Sequence, residues 1–363
     1  MQVLLVSANC VHTPYPVYPL GLDYVAGSIG KQHHVQVKDI SQLGGIEALA
    51  AEMGKQRPDV VGISLRNIDN TDVSRPEAFI QFYRDVVSAV REKTEALIVL
   101  GGSGFTIFPQ ELMRYLEADF GIVGEGERFG LFLDALEKAG NPLDIPGVLG
   151  PASQEYIPPP WPGNMHRDFN QDASHVRFYL HQGGILNVQT KRGCPFRCIY
   201  CTYPHIEGRS LRRISPQEVA ATAVRLQEGG AKFLFITDSA FNADYEHSAE
   251  VGQAFQEAGL SIPWGAFFAP TTPPPGYFEN LAAAGLTHVE FGTDSLADAV
   301  LEAYRKPYRT ASVFQAHAAA AEAGLYIAHY FLLGGPGETR TTLEQTLEAV
   351  DKLSQAVHFF FCG

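Results

Sequence analysis

Three of the chain's five cysteines stand within eight positions, in the stretch "KRGCPFRCIYCTYP" at residues 191 to 204. Cys194, Cys198 and Cys201 are crowded while Cys10 and Cys362 are isolated, which is not the pattern of a disulfide framework. Thiolates are soft ligands suited to zinc or to iron-sulfur clusters, and the C-x3-C-x2-C spacing lets one tight loop turn three sulfurs toward one centre. Two chemistries compete. In one, the cysteines hold three irons of a 4Fe-4S cluster and leave the fourth iron free for a small ligand. In the other, His205 adds a fourth ligand and closes a structural zinc site. Three plain thiols so close together in a loop would be an oxidation hazard.

Polar residues at the ends of later apolar runs are the next candidates. "ITDSAFN" offers Asp238, Ser239 and Asn242, and a carboxylate at the carboxyl end of a strand is costly to bury unpaired. "HVEFGTDSLADAVLEAYRK" offers Thr293, Asp294 and Ser295, with an N-cap at Ser295 as the plainer reading of that serine. "FLLGGPGET" offers Gly335, Pro336 and Gly337, a turn that brings backbone close to a ligand or simply ends a strand.

The elements that must position these residues fall into two series. In the first, strand-like runs at 2–7, 34–40, 59–65, 96–102 and 119–124 alternate with amphipathic segments and are apolar on both faces. This predicts a doubly wound parallel sheet over residues 1–150, with ligands beyond the carboxyl ends of its strands. A proline-rich stretch without period predicts a linker over 151–182. The second series, at 185–190, 232–238, 262–268, 288–294, 326–334 and 357–361, predicts a partial six-stranded parallel βα barrel over 183–363, with the cysteine loop directly after its first strand. Ser215, Pro216 and Glu218 mark one helix start. The last strand ends at "FFFCG" without a covering helix, so the natural protein is expected to continue past Gly363.

Composition narrows the partners. Asp and Glu number 40 against 27 Lys and Arg, a formal charge of -13, and no basic run tracks a phosphate backbone, so nucleic acid is not expected. No signal peptide or span-length apolar run is present, which predicts a cytoplasmic protein without a transmembrane segment. "WGAFFAPTTPPPGYF" and "FFFCG" hint at an apolar pocket for a small or lipid-like substrate.

"CPFRCIYC", with Tyr200 before the last cysteine, resembles the signature of the radical S-adenosylmethionine (radical SAM) superfamily. The resemblance implies that Cys194, Cys198 and Cys201 ligate a 4Fe-4S cluster whose open iron chelates SAM, cleaved by one electron to a 5'-deoxyadenosyl radical. It implies SAM contacts from Tyr200, from Thr293, Asp294 and Ser295, and from Gly335, Pro336 and Gly337. The family's Gly-Gly-Glu motif after the second barrel strand is replaced here, and Asp238 is expected to receive the SAM ammonium instead.

Residues 1–150 resemble the cobalamin-binding domain that precedes the barrel in one class of these enzymes, through "YPLGLDYVAGSI", "VVGISLRNIDN", "LGGSGFTIFPQELM" and "DFGIVGEGE". Ser64, Leu65, Gly101, Gly102, Gly124 and Glu125 are the implied cobalamin contacts. The D-x-H-x-x-G motif of many cobalamin domains is absent, so cobalamin is expected without His12 or Cys10 as a cobalt ligand. The class resemblance implies a methyltransferase acting on an unactivated carbon, or a cyclase or rearrangement enzyme with the same cofactors. An external electron donor of flavodoxin or ferredoxin type goes with either. A cobalamin-sensing module with a structural zinc is the non-catalytic alternative.

Overall fold

The apolar runs of the first series fold as β1 (Gln2–Ser7), β2 (His34–Asp39), β3 (Val60–Ser64), β4 (Leu97–Gly101) and β5 (Phe120–Ile122). The computed structural model describes residues 1–12, 15–70, 75–154, 157–353 and 357–362. Glu155 and Tyr156 of the expected linker, and Gly363 of the last run, lie outside the described residues. The five strands are parallel in the order β2-β1-β3-β4-β5, and a two-residue β6 (Val148–Leu149), not anticipated from the sequence, adds an antiparallel edge. Both faces are buried: Leu4, Val6, Ile63 and Leu100 pack in one core, while Val3, Leu5, Val99 and Ile122 pack in the other. The chain runs from β1 outward to β2 and returns to β3 on the other side of β1. Such an order reversal opens a crevice beyond the strand ends, here at Ser7 and Ser64.

Residues 151–182, expected as a linker, carry specific structure. A first compact unit comprises Met1–Gln182 together with His205–Gly208. Asp23 and Arg167 form a buried ion pair at 2.8 Å, Tyr18 donates to the same carboxylate at 2.8 Å, and Tyr179 on the helix Ser174–Gln182 donates to Asp39 at 3.0 Å. Burial raises the Asp23 pKa to about 6 against the opposing pull of Arg167. These partners lie far apart in sequence, which is why a reading by local period finds only irregular chain here.

The second unit, Gly183–Pro204 and Arg209–Gly363, holds β7 (Ile185–Val188), a short ribbon of β8 (Lys191–Arg192) and β9 (Arg212–Arg213), and β10 (Phe233–Ile236), β11 (Trp264–Phe268), β12 (Leu286–Asp294), β13 (Tyr326–Leu332) and β14 (Val357–Cys362). Its main sheet is parallel throughout and follows the chain, β7-β10-β11-β12-β13-β14. With every crossover of the usual right hand, sequential order places all the helices on one face of the sheet. The helix Pro216–Glu228 starts as its sequence predicts, with the Ser215 hydroxyl accepting from the Glu218 N–H. Among the described residues no helix is long and apolar enough to cross a membrane.

Replacing Asp23 by Ala leaves the Arg167 guanidinium buried without its counter-charge. The expected result is a loss of about 3–5 kcal/mol from the denaturant unfolding free energy, and an unchanged midpoint would show that the segment at 151–182 is not held by this pair.

Candidate functional site at the carboxyl ends of the second sheet

The cysteine loop leaves β8 and returns through β9, so the antiparallel pairs Lys191–Arg213 and Arg192–Arg212 pinch its base. Gly193 makes the turn into it at a φ of 88°. Below the loop, Lys191 and Asp238 are both buried and paired at 2.8 Å. Asp238 also accepts from the Thr190 N–H at 2.8 Å and the Thr190 hydroxyl at 2.5 Å, and the Lys191 ammonium donates to the Phe241 carbonyl at 2.7 Å. The Lys191 N–H donates to Asp238 at 3.4 Å and the ammonium to the Thr190 hydroxyl at 3.3 Å, so every lone pair and proton of the pair is spoken for, the condition under which a buried ion pair holds.

A second tie fixes the far side. The Tyr200 hydroxyl donates to Asp294, and Lys306 donates to that hydroxyl at 3.0 Å while pairing with Asp294 at 2.7 Å. Burial, reinforced by the Asp294 charge, pushes the Tyr200 phenol well up. Asp294 sits in the left-handed region at a φ of 61°, where the register of β12 against β13 shifts, and a short polar side chain tolerates that conformation. Tyr304 joins two further pieces. Its carbonyl accepts from the Ile199 N–H at 3.2 Å, and its hydroxyl lies where a β-carbon on Gly335 would come within 2.1 Å. Gly335 is therefore required for this packing, and Gly337, at a φ of 84°, faces Ala303 in the same way.

Of the residues expected around SAM, the structure brings together Tyr200 and Asp294 directly, and Gly335 through Tyr304. Three others have different partners. Asp238 does not present a free carboxylate to an ammonium group, because Thr190 and Lys191 occupy it. Thr293, at the register shift before Asp294, bonds His329 at 2.6 Å, and His329 bonds His317 at 3.1 Å. Ser295 bonds Thr346 at 3.0 Å and accepts from the Ala297 N–H. Pro336 and Gly337 are exposed. Asn242 clamps Ala269 through both ends of its amide, whereas the buried Ser239 hydroxyl at the end of β10 has no hydrogen-bond partner among the described residues. Lys191, Thr190, Tyr304 and Lys306 were missed by sequence reasoning. The signal for Lys191 was its place between an apolar strand and the first cysteine, where a lysine needs a buried counter-charge.

Three thiolates carried on one loop are a donor set that suits an iron-sulfur cluster. Among the described residues, His33, Asp134 and Glu137 bring ligand atoms within 4.8 Å of one another. His205 is exposed and groups with the first unit. Cys194 is buried and the other two are half-buried, and burial, with Cys198 adding to it, raises the Cys201 thiol.

In the first unit, Ser64 and Gly101 stand side by side at the ends of β3 and β4, half-buried along with Gly102. At Gly101 a β-carbon would meet nothing nearer than 3.8 Å, which leaves a cradle for a flat cofactor's tail. Gly102, at a φ of 100°, lets the Leu65 carbonyl approach to within 2.6 Å of where its β-carbon would stand. Leu65, Gly124 and Glu125 are buried in the fold. The Gly124 N–H donates to Thr106, and the Glu125 carboxylate accepts from the Trp161 N–H at 2.5 Å, so that carboxylate secures the neighbouring segment. His12 is exposed.

Residues 188–350 match the Radical SAM superfamily profile and residues 6–129 match the B12 binding domain profile. Tryptophan 2-C-methyltransferase of Streptomyces laurentii is 23% identical over 99% of this chain and 72% of its own length. An uncharacterized methyltransferase of Pyrococcus horikoshii is 27% identical over 92% of this chain and 73% of its own. The fold is also that of the radical S-adenosylmethionine methyltransferase TsrM from Kitasatospora setae, solved with cobalamin and a 4Fe-4S cluster bound. That structure superposes with a TM-score of 0.85 at 22% identity, over 99% of this chain and 72% of its own.

Two outcomes are expected of the buried groups. Asp238→Ala strands the Lys191 ammonium and lowers unfolding stability by about 3–5 kcal/mol, while the double apolar replacement Lys191→Met with Asp238→Leu loses much less; equal losses in denaturant titrations would contradict the pairing. Burial lowers the His329 pKa from 6.5 to about 3 and lowers that of His317 too. The unfolded chain therefore takes up protons first, so the stability these residues contribute is present above pH 6.5 and is lost as pH falls toward 3. Denaturant midpoints measured from pH 7 downward should fall less steeply in His329→Gln, and parallel slopes would refute the assignment.

Proposed function

We propose that this chain, which belongs to the cobalamin-binding radical SAM enzymes, methylates an unactivated carbon of a small-molecule substrate. One observation carries the reading: the three cysteines are held in a loop pinned by Lys191–Asp238 on one side and by Tyr200–Asp294–Lys306 on the other. Methyl transfer is favoured over cyclisation because three of the relatives that cover nine-tenths or more of this chain are named as methyltransferases and one as a cyclase.

Cys194, Cys198 and Cys201 would hold the cluster, and Ser64, Gly101 and Gly102 would border the cobalamin. When bound, the cluster with SAM supplies one-electron reductive cleavage, and cobalamin supplies a transferable methyl group. The chain's own residues position these groups. Asp294 and Lys306 fix the Tyr200 ring beside the last cysteine, and the unpartnered Ser239 hydroxyl is free to bond the polar end of SAM. Gly335 lets the Gly-Pro-Gly turn pack on Tyr304, whose carbonyl accepts from the Ile199 N–H of the cysteine loop. A one-electron donor of flavodoxin or ferredoxin type completes the system.

Anaerobic reconstitution with iron and sulfide should give a brown protein that makes 5'-deoxyadenosine from SAM and dithionite. S-adenosylhomocysteine should accumulate together with a methylated product when substrate is present. Cys194→Ala, Cys198→Ala and Cys201→Ala should each reduce deoxyadenosine to background while cobalamin binding persists, and His205→Ala should leave deoxyadenosine formation in place. A colourless, zinc-loaded protein would overturn the reading, and a product formed without S-adenosylhomocysteine would replace methyl transfer by rearrangement.

A further inference from the structure

Sequential strand order leaves one face of the second sheet without helices, and that face is unusual in what it displays. Residues of one parity line it. Phe235 on β10, Phe267 on β11, Glu290 and Gly292 on β12, Tyr330 on β13 and Phe360 on β14 share this face, with Phe267 opposite Glu290 and Gly292 in one row with Tyr330 and Phe360. Their rings form a continuous file. Phe235 meets Phe267 edge-on at 5.0 Å, Phe267 meets Tyr330 at 6.2 Å, and Tyr330 stacks on Phe360 at 4.8 Å. Phe267 and Phe360 are left 38% and 45% exposed, where large apolar side chains of a finished core would be covered.

Within this aromatic file stands one carboxylate. Glu290 is half-buried, accepts from the Tyr330 hydroxyl at 2.9 Å, and forms no ion pair among the described residues. Burial raises its pKa against that single hydrogen bond. The contrast with Asp238 is direct: Asp238 has four protein donors, whereas most of the accepting capacity of Glu290 is unused. Space lies beside it, since a β-carbon placed on Gly292 would meet nothing within 4 Å. A carboxylate flanked by aromatic faces and open space is complementary to a cation, which gains from the ring quadrupoles as well as from the charge.

We infer that this face is the substrate site and that Glu290 is its specificity-determining residue, receiving a protonated nitrogen carried on an apolar or flat body. The inference rests on the functional reading above and adds the substrate's chemical class to it. It also sets a length. Glu290 lies four residues before Asp294 on one strand, about 13 Å at 3.3 Å per residue, so the ammonium sits well away from the carbon that reacts at the carboxyl end.

The test is equilibrium binding to the cofactor-loaded protein, without reductant, of three probes that share one ring: 2-(2-naphthyl)ethylamine, 3-(2-naphthyl)propionate and 2-ethylnaphthalene. The amine should bind about tenfold more tightly than the carboxylate, the strength of one charge-assisted hydrogen bond. Glu290→Gln should erase that preference, and Phe267→Ala should weaken all three probes. Equal affinity for amine and carboxylate, a preference that survives Glu290→Gln, or no binding of any probe overturns the inference. SAM cleavage by the parent protein, measured alongside, separates the two readings. Cleavage without amine preference defeats the site alone, and amine preference without cleavage defeats the enzyme reading while the cation site stands.

Discussion

A lysine and an aspartate buried together beneath the cysteine loop are the constraint on which the second unit's site depends. Lys191 opens β8 and Asp238 follows the end of β10, and the cost of dehydrating both charges is offset only because Thr190 and the Phe241 carbonyl complete their hydrogen bonds. The geometry is consequently all-or-none. A displaced loop would strand a charge in the interior, so the chain between β8 and β9 has one low-energy course, and three cysteines travel with it. Tyr200, Asp294 and Lys306 apply the same principle on the other side, at a half-buried position where the loop meets the end of β12.

The two units use opposite solutions to the problem of covering a parallel sheet. In the first, the reversal at β1 and β3 puts helices on both faces, and the useful space is confined to the crevice beyond the strand ends. In the second, sequential order puts the helices on one side and leaves a whole face of aromatic side chains to be satisfied by something else. A crevice edged by small residues suits a flat cofactor, and an aromatic face with one carboxylate suits an organic substrate. Fold topology thus decides which kind of ligand each unit can hold, before any side chain confers specificity.

Much of this was legible in the sequence because it is local. Apolar runs of Val, Ile and Leu located the strands of the two parallel sheets to within a residue or two, though not the two-residue strands β6, β8 and β9, the Ser215-Pro216 cap located a helix, and the crowded cysteines stood out as candidate metal ligands. What the sequence could not display was the partnering of polar groups across long separations. Asp238 read as a free carboxylate because Thr190 and Lys191 lie nearly fifty residues earlier in the chain, and Thr293 read as a ligand contact because its partner His329 lies on the next strand. The segment around Arg167 read as a linker because its order comes from Asp23 and Asp39, more than a hundred residues earlier. Glu290, in the middle of an apolar strand, carried a visible signal, since a lone carboxylate in "HVEFG" demands a partner, but its neighbours were not identifiable without the register.

The central claim is that the loop holds a cluster with one iron open to SAM. The most direct measurement is electron paramagnetic resonance of the anaerobically reconstituted, dithionite-reduced protein, recorded with and without SAM. The account predicts the spectrum of a reduced 4Fe-4S cluster whose g-values change when SAM is added, because SAM binds the open iron. A cluster spectrum indifferent to SAM, or no cluster spectrum from a protein carrying one zinc per chain, would contradict it.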